Sequence, residues 1–221
     1  MDLFEKEKTK VRKDEPLAVR VRPRSFDDFA GQEHILGDGK LLRRLIDSDK
    51  ITSLMLFGPP GCGKTTLALM ISERTKSHFE RINAAANNVA DMRRIIDAAK
   101  KRSAIGGGRT ILLVDEIHRF NKAQQDVLMP DVEAGNPVLI GTTTHNPFFY
   151  VNAALLSRSQ VFEFRKLSDK DIAGILKKTL LDKDRGLILT ASGSSFFALL
   201  LSFSNRSIKK SPYVPCELES S

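Results

Sequence analysis

The stretch GPPGCGKT, residues 58–65, follows the apolar run SLMLF, residues 53–57, and leads into TTLALMISERTK, residues 65–76. It fits the pattern GxxxxGKT, in which glycines let backbone N–H groups surround phosphates and a helix N-terminus favours their charge. Lys64 is expected to reach the β- and γ-phosphates, and Thr65 to offer its hydroxyl to Mg²⁺. Because a strand precedes the loop and a helix follows it, the spacing predicts a P-loop nucleotide-binding α/β fold rather than a chance glycine-rich turn.

The whole loop and the first turn of the next helix are candidate phosphate contacts. These candidates are Gly58, Pro59, Pro60, Gly61, Cys62, Gly63, Lys64, Thr65 and Thr66. Cys62 fills a variable position, and the pattern favours an incidental small residue there over a redox role. Since the other cysteine is Cys216, neither a disulfide framework nor a four-cysteine zinc site is expected.

A second motif, ILLVDEIH at residues 111–118, supplies acidic groups for the same site. Its apolar residues predict a strand that ends at Asp115, and the carboxyl ends of parallel strands are where ligands bind in such folds. Asp115 is expected to hold Mg²⁺ through its water shell, and Glu116 to orient and deprotonate the attacking water. Two surface acids capping a helix are the alternative, but convergence with the loop favours catalysis.

The same motif separates classes of nucleotide enzyme. His118 completes the pattern DExH of some helicases, but such a helicase needs a second nucleotide-facing domain, for which 221 residues are expected to leave no room. A kinase acting on a small molecule would gain nothing from a water-activating carboxylate. Glu116 therefore favours hydrolysis over phosphoryl transfer to a metabolite.

Apolar runs alternate with amphipathic segments along most of the chain. Strands are predicted at residues 53–57, 79–83, 110–114, 138–142 and 161–164, and helices at residues 41–46, 65–76, 91–102, 122–129 and 169–181. In the first helix, Leu41, Leu42, Leu45 and Ile46 are expected on one side. Continuous apolar strands between such helices predict a parallel five-stranded sheet covered on both faces.

Two polar residues stand at predicted strand ends. Asn83 closes the second strand, and Thr143 follows the fourth. Either could contact Glu116 or the attacking water across the sheet. Each could equally be an ordinary residue at the start of a loop, and the pattern alone leaves both interpretations open.

The chain is basic, with a net charge of +8. The helix DMRRIIDAAKKR is expected to turn Arg93, Arg94, Lys100 and Lys101 outward. Such a surplus suits a nucleic-acid partner through counterion release, although a solvated basic surface remains an alternative. No apolar run approaches a membrane span, and MDLFEKEKTK lacks the apolar stretch of a signal peptide, so no membrane association is expected.

Composition divides the chain into four regions. Residues 1–25 carry eight Lys and Arg against five Asp and Glu, and are expected to form a basic flexible arm. Residues 26–166 hold the predicted nucleotide-binding α/β domain, and residues 167–186 the start of a helical lid. The serine-rich residues 187–221 are expected to be a poorly specified, disordered tail.

Several segments together resemble a known family. PLAVRVRPRSFDDFAGQEHILG, the phosphate loop, LLVDEIHRFNKAQQDVLMPDVEAG, GTTTHNPFF and VNAALLSRSQVFEF are similar to the replication-associated recombination protein A family, whose eukaryotic counterpart is the Werner-helicase-interacting ATPase. The resemblance covers residues 16–186. That family belongs to the AAA+ ATPases, close to clamp loaders, and acts on DNA at stalled or gapped replication forks.

The resemblance assigns roles to individual residues. It places Ile35 and Leu36 against the adenine, and makes Asn83 the polar switch that restrains the catalytic glutamate. Thr143 matches the first sensor position, although Asn146 is close enough to leave the register open. Arg158 matches the arginine finger, a cation that reaches the γ-phosphate bound by a neighbouring subunit.

For the protein as a whole, the resemblance implies a Mg²⁺-dependent ATPase. Forked or gapped DNA and replication and repair proteins are its expected partners. A homo-oligomer is expected of the full-length family rather than of this chain. A bacterial member would be cytoplasmic and nucleoid-associated, and a eukaryotic member nuclear. The lid's second sensor arginine, the oligomerisation domain and a zinc finger are expected to be missing. The alternative is therefore a nucleotide-binding interaction module with little hydrolysis.

Overall fold

The computed structural model describes residues 22, 23 and 25–181, and it confirms the parallel five-stranded sheet. The strands lie in the order β2-β3-β4-β1-β5 and pair in parallel. They are β1 (Leu54–Phe57), β2 (His78–Asn83), β3 (Thr110–Asp115), β4 (Val138–Thr143) and β5 (Gln160–Glu163). Each begins or ends within one residue of its predicted bounds. The described residues up to Lys177 belong to one compact unit.

Side chains of successive strand residues enter two hydrophobic clusters. In β1, Leu54 and Leu56 belong to one cluster, whereas Met55 belongs to the other. In β3, Leu113 and Leu112 divide in the same way. Successive residues of a strand point to opposite faces, so a sheet covered on both faces needs apolar residues at every position. This requirement explains why the central strands read as uninterrupted apolar runs.

Helices fill the segments between the strands. They are α1 (Glu33–Leu36), α2 (Leu41–Asp47), α3 (Lys64–Arg74), α4 (Val89–Ala104), α5 (Lys122–Asp126), α6 (Met129–Ala134), α7 (Pro147–Tyr150), α8 (Ala153–Ser157) and α9 (Asp169–Leu181). Short 3₁₀ turns cover Phe26–Asp28 and Ile117–Arg119. In the described part of the chain, no helix is both long and apolar enough to cross a bilayer.

Two details of the helix predictions were wrong. The single helix expected over residues 122–129 is divided into α5 and α6, and Pro130 lies in the first turn of α6, where its missing N–H is tolerated. In α2, Leu42 and Ile46 are buried, but Leu41 is 56% exposed. Leu41 lies at the edge of the apolar stripe, in the first turn of α2, and the core does not cover it.

Helix α4 has the polarity that its sequence predicts. Asn88 and Asp91 form a capping box at its start. Met92, Ile96 and Ala99 are buried against the sheet. The basic residues predicted to face outward are exposed, namely Arg93, Arg94, Lys100 and Lys101.

The proposed lid begins with α9, whose bounds coincide with the predicted helix. Ser168 Oγ accepts a hydrogen bond from Asp171 N at 3.2 Å, and Asp171 Oδ2 accepts one from Ser168 N at 2.9 Å. This reciprocal pair caps the helix. Most of the predicted arm and the whole predicted tail, residues 187–221, lie outside the described residues, so the four-region division remains a prediction.

Candidate nucleotide-binding and catalytic site

The loop between β1 and α3 depends on glycine at two close approaches. Gly58 has φ 146°, and a Cβ there would lie 2.2 Å from the carbonyl oxygen of Phe164. Gly63 has φ 100°, and a Cβ would lie 2.6 Å from the ring of Phe29. Side-chain-bearing residues would be strained at both positions. The loop therefore packs against Phe164 at its start and against Phe29 near its end.

Some of the remaining loop residues are exposed and others are buried. The exposed residues are Pro59, Pro60 and Gly61. Cys62 is buried in the same hydrophobic cluster as the sheet, with Sγ 2.9 Å from the carbonyl oxygen of Pro59. Thr66 is half-buried in the first turn of α3. The burial of Cys62 agrees with a small packing residue.

The side chain of Lys64 is held by backbone carbonyl oxygens of the loop. Its Nζ donates to the carbonyl oxygens of Gly58 and Pro59, both at 2.7 Å, and the residue is 8% exposed. A buried ammonium needs such acceptors. Phosphate oxygens bound by the loop would offer stronger, charged acceptors at the same position.

Thr65 and Asp115 meet at the carboxyl end of the sheet. Thr65 Oγ1 donates to Asp115 Oδ1 at 3.2 Å, although the residues are 50 positions apart. Thr142 Oγ1 donates to the same oxygen at 2.6 Å. Asp115 is 7% exposed, so its carboxylate is held in one orientation. The two motifs singled out in the sequence thus converge on one place.

Arg81 also contacts Asp115, which the sequence did not suggest. Its Nε and Nη2 donate to Oδ2 at 2.8 and 2.5 Å. Arg81 lies in β2, paired through Ile82 and Asn83 with the last residues of β3. The alternation of HFERIN, which places Arg81 and Asn83 on one face, is the signal that could have indicated it.

These side chains fit a magnesium ion bound together with a nucleotide. A hydroxyl and a carboxylate within hydrogen-bond distance are the oxygen ligands that Mg²⁺ prefers, alongside water and phosphate. Among residues 25–181, no cluster of three or more His, Cys, Asp or Glu could hold a metal. Water and phosphate oxygens would supply the remaining ligands of a magnesium ion at Thr65 and Asp115.

Glu116 follows Asp115 in a strained conformation. Its φ is 56° and its ψ 41°, in the left-handed region that few non-glycine residues adopt. Its side chain is 38% exposed, and Oε2 lies 3.3 Å from Nε2 of His118. Strain of this kind often accompanies functional sites.

Thr143 and Asn83 both lie at this edge, but they differ in their contacts. Thr143 is fully buried, and its Oγ1 is 2.9 Å from Nδ1 of His118. Asn83 pairs in register with Asp115, yet its Oδ1 accepts from the N–H of Ala85 at 2.9 Å. Within the described residues, Glu116 therefore contacts His118, and Asn83 caps a turn. Asn146, the alternative to Thr143, caps α7 through Phe148 N.

The segment expected beside the adenine is fixed to the end of β5. Gln32 donates to the carbonyl oxygen of Arg165 at 2.7 Å and accepts from its N–H at 2.9 Å. Ile35 and Leu36, in α1, are 9% and 6% exposed and share a hydrophobic cluster with Cys62 of the loop. They lie near the loop, and their contact with a base remains a prediction.

Arg158 lies just before β5, at the end of the strands opposite to the phosphate loop. β1 and β5 pair from Leu54 with Gln160 to Phe57 with Glu163. Arg158 precedes the first pair, whereas the loop follows the last, so more than about 10 Å of strand separates them. Its Nε pairs with Glu133 Oε1 at 2.7 Å. The structure does not bring Arg158 to the loop of its own chain.

Comparison with known proteins agrees with this arrangement. The profile of the ATPase family associated with various cellular activities (AAA) matches residues 54–167. Replication-associated recombination protein A of Escherichia coli (strain K12) is 46% identical over 173 residues, which cover 78% of this chain and 38% of the relative. ATPase WRNIP1 of Dictyostelium discoideum is 43% identical over 178 residues, covering 79% of this chain and 20% of the relative.

A solved structure has the same fold. The Thermotoga maritima RuvB Holliday junction branch migration motor superposes with a TM-score of 0.59 at 28% identity, over 72% of this chain and 54% of its own. The chain spans 38% of the length of several curated relatives that it matches. The family resemblance stated from the sequence is confirmed. The sheet, the phosphate loop and the matched profile together establish that this chain belongs to the AAA family of ATPases.

Proposed function

We propose that this chain binds ATP with Mg²⁺ at the loop of residues 58–65 and hydrolyses it. The observation that carries the proposal is the contact between Thr65 and Asp115, at 3.2 Å. It joins the phosphate loop to the acidic strand end at the edge of the sheet where Lys64 and Glu116 also lie. A hydrolase needs these groups within reach of one phosphate chain.

Each residue has a distinct part in this proposal. Lys64 exchanges the carbonyl oxygens of Gly58 and Pro59 for the β- and γ-phosphates. Glu116 orients the attacking water and accepts its proton. Mg²⁺, when bound, would neutralise phosphate charge, with Thr65 and Asp115 as its protein partners.

The complete site is proposed to lie between two copies of the chain. Arg158 is a cation at an exposed surface, and more than about 10 Å of strand separates it from its own loop. The family resemblance makes it an arginine finger, and from this position it would exchange its pair with Glu133 for a phosphate bound by a neighbouring copy. We therefore propose that the active form is a homo-oligomer.

The proposed macromolecular substrate is DNA at stalled or gapped replication forks. The names of the E. coli relative and of the Thermotoga motor support this assignment. Helix α4 offers a surface for phosphates through Arg93, Arg94 and Lys101. Replication and repair proteins would be further partners. The corresponding location is the nucleoid in a bacterium or the nucleus in a eukaryote.

A second candidate function is a nucleotide-binding interaction module with little hydrolysis. Arg158 favours it, because in the single chain this residue pairs with Glu133 at 2.7 Å and lies far from the loop. A chain that does not assemble would then bind ATP without a cation to stabilise the transition state.

The ATPase rate of the purified chain, with and without forked DNA, distinguishes the two functions. Hydrolysis that forked DNA stimulates, and that Lys64→Ala abolishes, supports the first. Binding of ATP with hydrolysis no faster than that of Lys64→Ala supports the second. Absence of ATP binding would overturn both.

A further inference from the structure

We infer that His118 positions Glu116 for catalysis and links its carboxylate to Thr143. The inference rests on the proposed ATPase function, and it assigns to His118 a supporting contact with Glu116 that differs from the restraining part that the family resemblance gives to Asn83. His118 is a positioning residue in this account, since it acts through Glu116 and does not itself touch the nucleotide.

A continuous series of contacts runs from the phosphate loop to Glu116. Gly58 N donates to the carbonyl oxygen of Thr143 at 3.2 Å, which ties the first loop residue to the end of β4. Thr143 Oγ1 lies 2.9 Å from His118 Nδ1. His118 Nε2 lies 3.3 Å from Glu116 Oε2. Each ring nitrogen of His118 therefore faces one of the two residues to be linked.

The chemistry of the partners decides where the ring carries its proton. An ionised carboxylate only accepts hydrogen bonds, so the contact with Glu116 is attractive when Nε2 carries the proton. In a neutral ring Nδ1 is then an acceptor. The hydroxyl of Thr143 accepts from His145 N at 3.0 Å and lies 3.3 Å from the carbonyl oxygen of His145, and its one proton then goes to the nearer acceptor, Nδ1 at 2.9 Å. One tautomer thus satisfies both neighbours.

The surroundings of the ring favour this neutral form. Burial lowers the pKa of His118 from its ordinary 6.5. The carboxylate of Glu116 opposes this shift, and the neighbouring His145 and Arg119 add to it. The His145 ring packs edge-on at 4.5 Å, and the Tyr150 ring lies at 6.2 Å. The His118 side chain is 8% exposed. Packing on several sides leaves the ring little freedom to turn.

Glu116 needs such a partner more than a buried residue would. With 38% of its side chain exposed, its carboxylate is otherwise open to several rotamers. A general base must lie within hydrogen-bond reach of the water that it deprotonates, and a misplacement of about 1 Å can slow a reaction about a hundredfold. Thr143 is hydrogen-bonded to the loop through Gly58, and through His118 it would fix the position of the Glu116 carboxylate relative to the loop.

Two substitutions of His118 separate the two contacts. His118→Gln places an amide N–H near the position of Nε2 and keeps a donor toward Glu116. His118→Asn places an amide oxygen near the position of Nδ1 and keeps an acceptor toward Thr143. His78→Gln is the matched control, since His78 lies in β2 and pairs with Glu80 at 2.8 Å.

Kinetics of the full chain give the first readout. We expect both His118 variants to bind ATP within about twofold of wild type and to lose kcat, by roughly 10- to 100-fold for His118→Asn and less for His118→Gln. His78→Gln should retain full activity. Wild-type kcat in His118→Asn would overturn the inference. Hydrolysis by Glu116→Gln at the wild-type rate would instead overturn the proposed function.

Nuclear magnetic resonance of the histidine rings gives a readout that needs no hydrolysis. In the nucleotide-free chain we expect the neutral His118 ring to carry its proton on Nε2. Glu116→Gln should lower the pKa of His118 further, because the carboxylate favours the charged ring. A proton on Nδ1 would overturn the proposed link between Glu116 and Thr143, even in an active ATPase. A pKa of His118 that is the same in wild type and in Glu116→Gln would also overturn it.

Discussion

Arg81 neutralises Asp115 by donating to one carboxylate oxygen through Nε at 2.8 Å and Nη2 at 2.5 Å. The side chain of Asp115 is 9% exposed, and that of Arg81 is 52% exposed. The guanidinium therefore places a positive charge beside the residue proposed to hold Mg²⁺ through water. We therefore expect Arg81 to stabilise the nucleotide-free site and to compete with Mg²⁺ for the same carboxylate.

Removing this cation should weaken the nucleotide-free protein and ease magnesium binding. Arg81→Ala is expected to lower the free energy of unfolding by about 1–2 kcal/mol, because a buried carboxylate loses its charged partner. The added stability conferred by ATP with Mg²⁺ should be larger than in wild type. Denaturant unfolding with and without both ligands measures the two effects, and Arg81→Lys keeps the charge as a control. A smaller gain from the ligands in Arg81→Ala would refute the competition.

Lys64 and Glu116 should separate binding from catalysis. Lys64 would contact phosphates in the ground state, whereas Glu116 acts on water only during the reaction. Lys64→Ala should therefore abolish ATP binding, and Glu116→Gln should retain the wild-type affinity while hydrolysis stops. Titration with a fluorescent ATP analogue, beside a phosphate-release assay, tests both. Wild-type hydrolysis by Glu116→Gln would remove this residue from the mechanism.

The basic face of α4 should determine how salt affects DNA binding. Arg93, Arg94 and Lys101 lie on one exposed stretch of the helix, whereas Lys100 is held by Asp131 at 2.7 Å, which raises the lysine's pKa. Reversing the charge of the first three should flatten the slope of log affinity against log salt by about one unit for each DNA phosphate that the helix no longer neutralises.

Lys100→Gln serves as the control for that experiment. Because Lys100 is already paired with a carboxylate, its replacement should leave the slope nearly unchanged. Fluorescence anisotropy with forked DNA over a series of salt concentrations measures all variants. A slope that stays constant after the triple reversal would exclude this helix as the DNA surface.

Much of the fold could be predicted because it depends on local patterns. Apolar runs defined the strands, and the loop pattern placed Lys64 and Thr65 where the structure has them. The division of the predicted helix near Pro130 and the exposure of Leu41 depend on how neighbouring segments pack, which periodicity does not encode. Local periodicity therefore specifies most elements, but not where a turn divides a helix or which residues at the edge of an apolar stripe the core leaves uncovered.

The contacts inside the site could be predicted less well. Arg81 and Asp115 are 34 residues apart, and His118 and Thr143 are 25 residues apart. Which side chains meet depends on strand order and rotamer, and neither is readable from spacing alone. In the sequence His118 stands out only as part of a helicase-like motif, whereas its contacts with Glu116 and Thr143 depend on the pairing of β3 with β4.

Stability should depend on His118 at mildly acidic pH. An unfolded chain binds a proton at this ring near pH 6.5, whereas the folded chain does so only at lower pH. The unfolded state therefore binds more protons in the window below 6.5, and the free energy of unfolding falls there as pH falls. Denaturant midpoints for wild type and His118→Gln test this, and the variant should show the shallower decline. The carboxyls of Asp91 and Asp171, whose pKa values are also lowered, act below about pH 3.8. An equal decline in both proteins between about pH 7 and pH 5 would contradict the assignment.

The central claim is that a nucleotide bound by one chain is hydrolysed with Arg158 of another. Arginine fingers can contribute about a thousandfold in rate because they neutralise charge that develops in the transition state. Arg158→Ala keeps an intact loop, and Lys64→Ala keeps an intact Arg158, so neither should hydrolyse ATP alone. The decisive measurement is the ATPase rate of the two variants mixed, with crosslinking to show that mixed oligomers form. The account predicts that mixing restores activity, at sites where an intact loop faces an intact Arg158. Mixed oligomers that remain inactive, or wild-type hydrolysis by a chain that forms no oligomer, would contradict it.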